Sequence, residues 1–118
     1  MKKYLPAVIP TLKYWTWRQN NTGGSFVRNA EVAELVIVEA ITPGEAEEKA
    51  ASVGIYYNGC DDGMDCPCCG DRWYPADEEG TEVPEYYGTP IVEFDSVRDK
   101  SHDVILHTRE GEIFYGKS

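Results

Sequence analysis

All four cysteines of the chain, Cys60, Cys66, Cys68 and Cys69, fall inside one short stretch. That clustering constrains the fold more than any other feature. Cys66-Pro67-Cys68-Cys69-Gly70 holds a C-x-x-C followed by glycine, a spacing that lets two thiolates grip one tetrahedral ion while the N–H groups of the turn point at sulfur. Cys60 lies six residues upstream, past Gly63, and can fold back as a third ligand. The fourth is Cys68, or His102 or His107 from the end of the chain. The spacing therefore predicts a zinc-binding knuckle over residues 58–74. Reduced structural thiols and disulfides are the two alternatives, because a complete zinc ribbon carries a second C-x-x-C further along.

The carboxylates around the sulfurs argue against a reactive thiol. Asp61, Asp62, Asp65 and Asp71 share the stretch, and nearby negative charge raises a thiol pKa, whereas a nucleophilic cysteine needs it lowered. A divalent cation reverses that penalty. Arg72 then offsets a thiolate-rich site from outside the ligand set.

With 118 residues the chain fits one domain. Twenty-one acidic against eleven basic side chains give a formal net charge of −10, which repels phosphate backbones and excludes general nucleic-acid binding. No segment approaches the roughly 18 apolar residues of a membrane span. The apolar run at the N-terminus is broken by Pro6 and Pro10 and is too short for a signal sequence. A cytoplasmic location is expected, where disulfide frameworks are disfavoured.

The remainder reads as a scaffold. Residues 1–12 form a Pro-punctuated arm whose Leu5, Val8, Ile9 and Leu12 are expected on the core, with a strand-pairing role for the arm as the alternative. From Lys13 the pattern alternates, with Tyr14, Thr16 and Arg18 on one face and Trp15, Trp17 and Gln19 on the other, as a half-buried strand requires. Asn20-Asn21-Thr22-Gly23-Gly24 supplies hairpin residues, so residues 25–28 are expected to return as an antiparallel partner. Leu35-Val36-Ile37-Val38 reads as a central strand covered on both faces.

Thr42 as N-cap, Pro43 at the first helical position, Glu45 completing a capping box, and Ile41 stapled to Ala46 predict a helix from about Pro43 to Val53, stopped by Gly54. Residues 75–88 read as an acidic loop. Strands are expected at 90–94, 103–108 and 113–115, with Glu110-Gly111 as a two-residue hairpin that sets Thr108 opposite Ile113 and His107 opposite Phe114. The fold class that follows is α+β: a largely antiparallel sheet of five to six strands with one helix on one face and the Cys-rich knuckle beside it.

A second candidate site lies at the end of the first strand. Asn20, Asn21, Gly23 and Gly24 can offer successive backbone N–H groups as an anion-binding nest. Trp17 and Phe26 supply ring faces, Gln19 lies between them, and Arg18 or Arg72 can pair with phosphate. Trp73, beside Arg72, belongs to the same edge. The same residues also read as an ordinary hairpin over a tryptophan core, since Trp at i and i+2 on one strand face is usually packing. No phosphate-binding or dinucleotide fingerprint occurs.

At these two stretches the sequence resembles a family of small tailed-bacteriophage proteins that carry a domain of unknown function. The matching residues are Trp17-x-Gln19-Asn20-Asn21-x-Gly23-Gly24-x-Phe26, the segment from Val36 to Gly54, and Asn58-Gly59-Cys60 through Cys66-Pro67-Cys68-Cys69-Gly70-Asp71-Arg72-Trp73-Tyr74. The resemblance implies a host-takeover or anti-defence factor of the infected bacterial cytoplasm. The expectation is a non-enzymatic binder of a nucleotide-like ligand or a host protein. An acidic protein inhibitor or DNA mimic is the alternative, and a metal-dependent hydrolase is a third reading disfavoured by Cys-rich ligation.

Overall fold

In the computed structural model, residues 3–5, 8–20, 26–57, 59, 60, 63, 70–86 and 88–118 are described. They form nine strands and one helix: β1 (Lys3–Tyr4), β2 (Lys13–Gln19), β3 (Leu35–Ala40), α1 (Pro43–Ser52), β4 (Trp73–Tyr74), β5 (Glu85–Tyr86), β6 (Thr89–Pro90), β7 (Phe94–Asp95), β8 (Val104–His107) and β9 (Ile113–Gly116). Seven strands make one sheet in the order β1-β7-β9-β8-β3-β2-β4, and β5 with β6 makes a separate hairpin. The pairings are antiparallel except β3 with β8, which is parallel. The class is thus α+β, with a mixed sheet.

The centre of the sheet follows from its side chains. Every residue of β3 is buried, because α1 covers one face and a second apolar cluster fills the other. On the helix face Trp15, Trp17, Val36, Val38 and Trp73 pack with Ala46, Ala50 and Val53. On the opposite face lie Tyr14, Leu35, Ile37, Ile91, Phe94, Val104, Leu106 and Phe114. The alanine stripe of α1 lets the helix approach closely. It also means that the tryptophans supply most of the apolar area on that side.

The helix begins as its sequence requires, with the Thr42 hydroxyl accepting from Glu45 N–H at 3.1 Å and Gly54 at φ +103 ending it. The reciprocal half of the capping box is replaced: the Glu45 carboxylate instead accepts from Arg109 Nε at 2.6 Å. Ile41 is exposed while Ala46 is buried, so the expected staple does not enclose Ile41.

Four further expectations are corrected. Residues 26–28 are not a strand; the antiparallel partner of β2 is β3, with Trp15 opposite Val38 and Trp17 opposite Val36. The reason is Gln19, whose side-chain amide takes the place of a strand backbone, accepting from Val27 N–H and donating to the carbonyls of Val27 and Ala33. In the last hairpin His107 faces Ile113 and Leu106 faces Phe114. Gly111 at φ +96 donates to the Thr108 carbonyl, so the turn holds three residues and shifts the register by one.

The strand expected at 90–94 is split, because Ile91 N–H turns to the Pro84 carbonyl at 2.9 Å. In the arm, Leu5, Val8 and Ile9 are exposed rather than on the core, and it is the alternative, a pairing role, that is found, through β1 with Lys3 opposite Asp95 and Tyr4 opposite Phe94. Among the described residues no helix is long and apolar enough to cross a membrane.

The acidic segment after β4 is docked on the sheet. Thr81 and Tyr14 exchange two backbone hydrogen bonds of 2.8 Å, and Trp15 Nε1 donates to the Glu78 carbonyl at 3.4 Å. Gly80, at φ +67, lies so close to Trp15 that a Cβ there would sit 2.8 Å from the indole ring. Only glycine satisfies both the turn and the contact.

Candidate functional site

The two stretches singled out in the sequence meet in space. β4 is the strand that follows the cysteines, and it pairs with the end of β2 so that Arg18 lies opposite Tyr74 and Gln19 opposite Trp73. Asn20 continues the junction: its N–H donates to the Arg72 carbonyl at 2.6 Å, and its side chain donates to the Asp71 carbonyl at 3.1 Å. Arg72 returns from the other side, donating to Gln19 Oε1 at 3.2 Å and to the Asn20 carbonyl at 3.3 Å. Cys60 is tied to the same junction, its N–H donating to Asp71 Oδ1 at 3.0 Å.

This geometry gives most of the sequence-selected residues a placement. Trp17, with 0% of its surface exposed, and Trp73, with 3%, are core residues. Trp17 Nε1 donates to the Tyr57 hydroxyl at 2.8 Å, and that hydroxyl donates on to the Glu47 carboxylate at 2.8 Å. Burial raises the Tyr57 pKa, so the hydroxyl stays protonated. Neither indole therefore offers a face to a ligand. Gln19 and Arg72 join strands to loops. Phe26 lies at the surface, whereas Asn21, Gly23 and Gly24 fall outside the described residues.

Of the cysteines only Cys60 is described, half-buried beside Asp71; Cys66, Cys68 and Cys69 lie outside. Gly70, the residue after Cys69, has φ +91, a conformation that glycine adopts without steric cost. Neither histidine is brought to this junction. His107 is in β8, three strands from β4 in the sheet order, which is about 14 Å at ordinary strand spacing. His107 Nε2 lies 2.8 Å from the Glu31 carbonyl, and burial lowers its pKa. His102 is further still, with Nε2 3.3 Å from Asp95 Oδ2 and its ring stacked on Tyr115. Among the described residues no group of three or more potential ligands gathers.

The exposed chemistry lies on the other side of the sheet. Arg18 and Tyr74 project from paired positions, with the guanidinium 4.5 Å above the ring centroid of Tyr74, which is 43% exposed. Two adjoining clefts of about 290 and 390 Å³ share Arg18, Leu35, Tyr74 and Tyr86. The first is completed by Tyr14, Thr16, Asp77, Thr81 and Glu85, and the second by Asn20, Phe26, Glu34 and Asp103. Together they form one groove between the β2–β4 edge and the β5–β6 hairpin.

Charge in the groove is unevenly satisfied. Glu34 is paired with Arg28, and Asp103 accepts from Ser118 N–H and hydroxyl. Among the described residues no cation pairs with Asp77 or Glu85, both of which line the first cleft. Backbone groups are also available there. An antiparallel ladder turns alternate residues to opposite edges, so Thr16 presents its N–H and C=O between Tyr14, which pairs with Thr81, and Arg18, which pairs with Tyr74. The sequence pointed to Arg18, Gln19, Asn20 and Phe26, all of which line the second cleft. It missed Tyr74, Tyr86, Asp77 and Glu85, although a Tyr-rich segment interleaved with carboxylates was their signal.

A family model described as a domain of unknown function, DUF7296, matches residues 12–118. The chain belongs to the DUF7296 family. The match covers β2 to β9 and α1, so the groove and the Cys60–Asp71 junction lie inside the DUF7296 domain and β1 lies before it. No curated protein and no solved structure is significantly similar to the chain.

Proposed function

We propose that this protein is a non-enzymatic binding protein that holds a partner in the groove over Arg18 and Tyr74. In this reading it is an accessory factor of the host-takeover or anti-defence kind, working in the cytoplasm of an infected bacterium. The phage context rests on the motif resemblance around Trp17–Phe26 and Cys60–Tyr74.

The observation that carries the binding reading is the Arg18–Tyr74 stack at the junction of two clefts. An exposed aromatic ring capped by a guanidinium, beside carboxylates that carry no cation among the described residues and a strand-edge peptide group, is an arrangement suited to recognition. The groove contains neither of the two histidines, which are engaged elsewhere in the sheet. That favours a binder over a hydrolase.

Among ligand classes, a phosphate-bearing nucleotide meets one arginine against Asp77, Glu85, Glu34 and Asp103, so a protein partner or an uncharged ring fits better. A DNA mimic needs its carboxylates in rows on one face. Here Glu45, Glu47 and Glu48 belong to α1, across the sheet from the groove, which favours the groove over the mimic.

The test is affinity capture from bacterial lysate with the wild type and an Arg18→Gln/Tyr74→Ala variant of unchanged circular dichroism. Retention of a stoichiometric partner by the wild type and its loss in the variant is the expected result. Equal capture by both proteins would remove the groove from the function.

A further inference from the structure

We infer that the groove receives an extended, lysine- or arginine-bearing segment of a partner polypeptide, with Asp77 and Glu85 taking its cationic side chain and Tyr86 and Tyr74 flanking it. The inference rests on the binding reading and specifies its partner. Three observations favour this occupant over a compact molecule or an anion.

The first is extent. The two clefts adjoin, sharing Arg18, Leu35, Tyr74 and Tyr86, so a ligand longer than a single ring can contact both. A single ring fills one cleft; a chain in extended conformation occupies both.

The second is the strand edge. β4 is two residues long and Thr81 makes one isolated bridge, which leaves the Thr16 N–H and C=O between them on the edge of β2. The opening is one residue wide, because Tyr14 and Arg18 on either side of it are already paired, so a segment crossing the groove can bond there through a single peptide group.

The third is charge. Asp77 and Glu85 line the first cleft with no cation on them among the described residues. Tyr86 and Tyr74 add ring faces, and the ring of Tyr74 already attracts a guanidinium, that of Arg18. An incoming ammonium or guanidinium group finds aromatic surface and two carboxylates against the one charge of Arg18, a balance that disfavours a phosphate or carboxylate. The net charge of −10 extends the same preference to the encounter with the partner.

The experiment uses the full chain and a fluorescein-labelled nonapeptide of alternating arginine and leucine, with a glutamate-for-arginine peptide as the opposite charge. Anisotropy is read at 50 and 200 mM salt. Binding of the arginine peptide and none of the glutamate peptide is expected. Asp77→Asn/Glu85→Gln should weaken binding about tenfold or more. Glu48→Gln/Glu110→Gln removes the same charge away from the groove and should change it less than twofold. Equal weakening by the two double variants would mean diffuse charge attraction and would overturn the inference.

Failure of the specification and failure of the binding reading are separable. If a neutral or anionic probe, such as adenosine or adenosine monophosphate, binds and Tyr74→Ala abolishes it while the arginine peptide does not bind, the groove stands and the cationic occupant falls. If no probe binds and Tyr74→Ala changes nothing, both fall.

Discussion

Arg18 and Tyr74 are directly opposed in the β2–β4 pair and also stacked, guanidinium over ring at 4.5 Å. One register position therefore fixes both the end of the sheet and the centre of the groove. Because Tyr74 is partly exposed, the stack should contribute about 0.5–1 kcal/mol to stability. A double-mutant cycle of Arg18→Ala and Tyr74→Ala, read by urea unfolding, should return a coupling of that size. Tyr74→Phe should keep it.

Gln19 carries the heaviest local hydrogen-bonding load. Its amide joins Val27, Ala33 and Arg72 across a loop that has no strand of its own. Gln19→Ala leaves the buried Ala33 carbonyl and the part-buried Val27 N–H and C=O without these bonds and should destabilise the protein by about 1–3 kcal/mol. Hydrogen exchange should show protection lost first over residues 27–33, before β3 or α1.

His107 gives stability a pH dependence of defined sign. Its pKa is lowered from the ordinary 6.5, first by burial, so the folded protein holds the neutral ring and the unfolded chain binds the proton more readily. The contribution is complete above about pH 6.5 and is lost as pH falls below that value toward the folded pKa. Urea midpoints measured between pH 7.5 and 5.5 should decline, and the His107→Gln variant should decline less steeply over the same interval.

The cysteine stretch supports a metal prediction. If zinc is held by Cys60, Cys66, Cys68 and Cys69, protein purified without chelator should contain about one equivalent. Its removal should loosen residues 59–73 and leave the β3–α1 unit folded. Less than about a tenth of an equivalent would return the cysteines to structural thiols.

The local elements were legible in the sequence wherever the signal was short-range. The alternation from Tyr14 to Gln19, the run Leu35–Val38, and the Thr42 and Gly54 helix limits each state a period or a cap, and each is found in the fold. What failed was non-local. Nothing in residues 26–28 announces that a glutamine side chain will take up Val27, so a hairpin was expected where β2 in fact pairs with β3. The parallel pairing of β3 with β8 joins residues about 70 positions apart, and no turn residue marks it.

The candidate site divides the same way. Arg18 and Asn20 were legible because the motif placed them beside each other. The two tryptophans misled, because an indole on a strand reads equally as a platform or as packing until its opposite partner is known. Tyr74 joins the groove because β4 pairs with β2, and Tyr86 because it and Ile91 pack on the second apolar cluster while Thr16 Oγ1 donates to the Glu85 carbonyl at 3.5 Å.

The most direct measurement is a residue-resolved one: two-dimensional ¹⁵N–¹H spectra of the labelled protein titrated with the arginine–leucine peptide. Shift changes are expected only at Thr16, Arg18, Tyr74, Asp77, Glu85, Tyr86 and their chain neighbours, with α1 unmoved. Saturable shifts centred on α1 or on the β8–β9 turn, with the groove unmoved, would contradict binding in the groove.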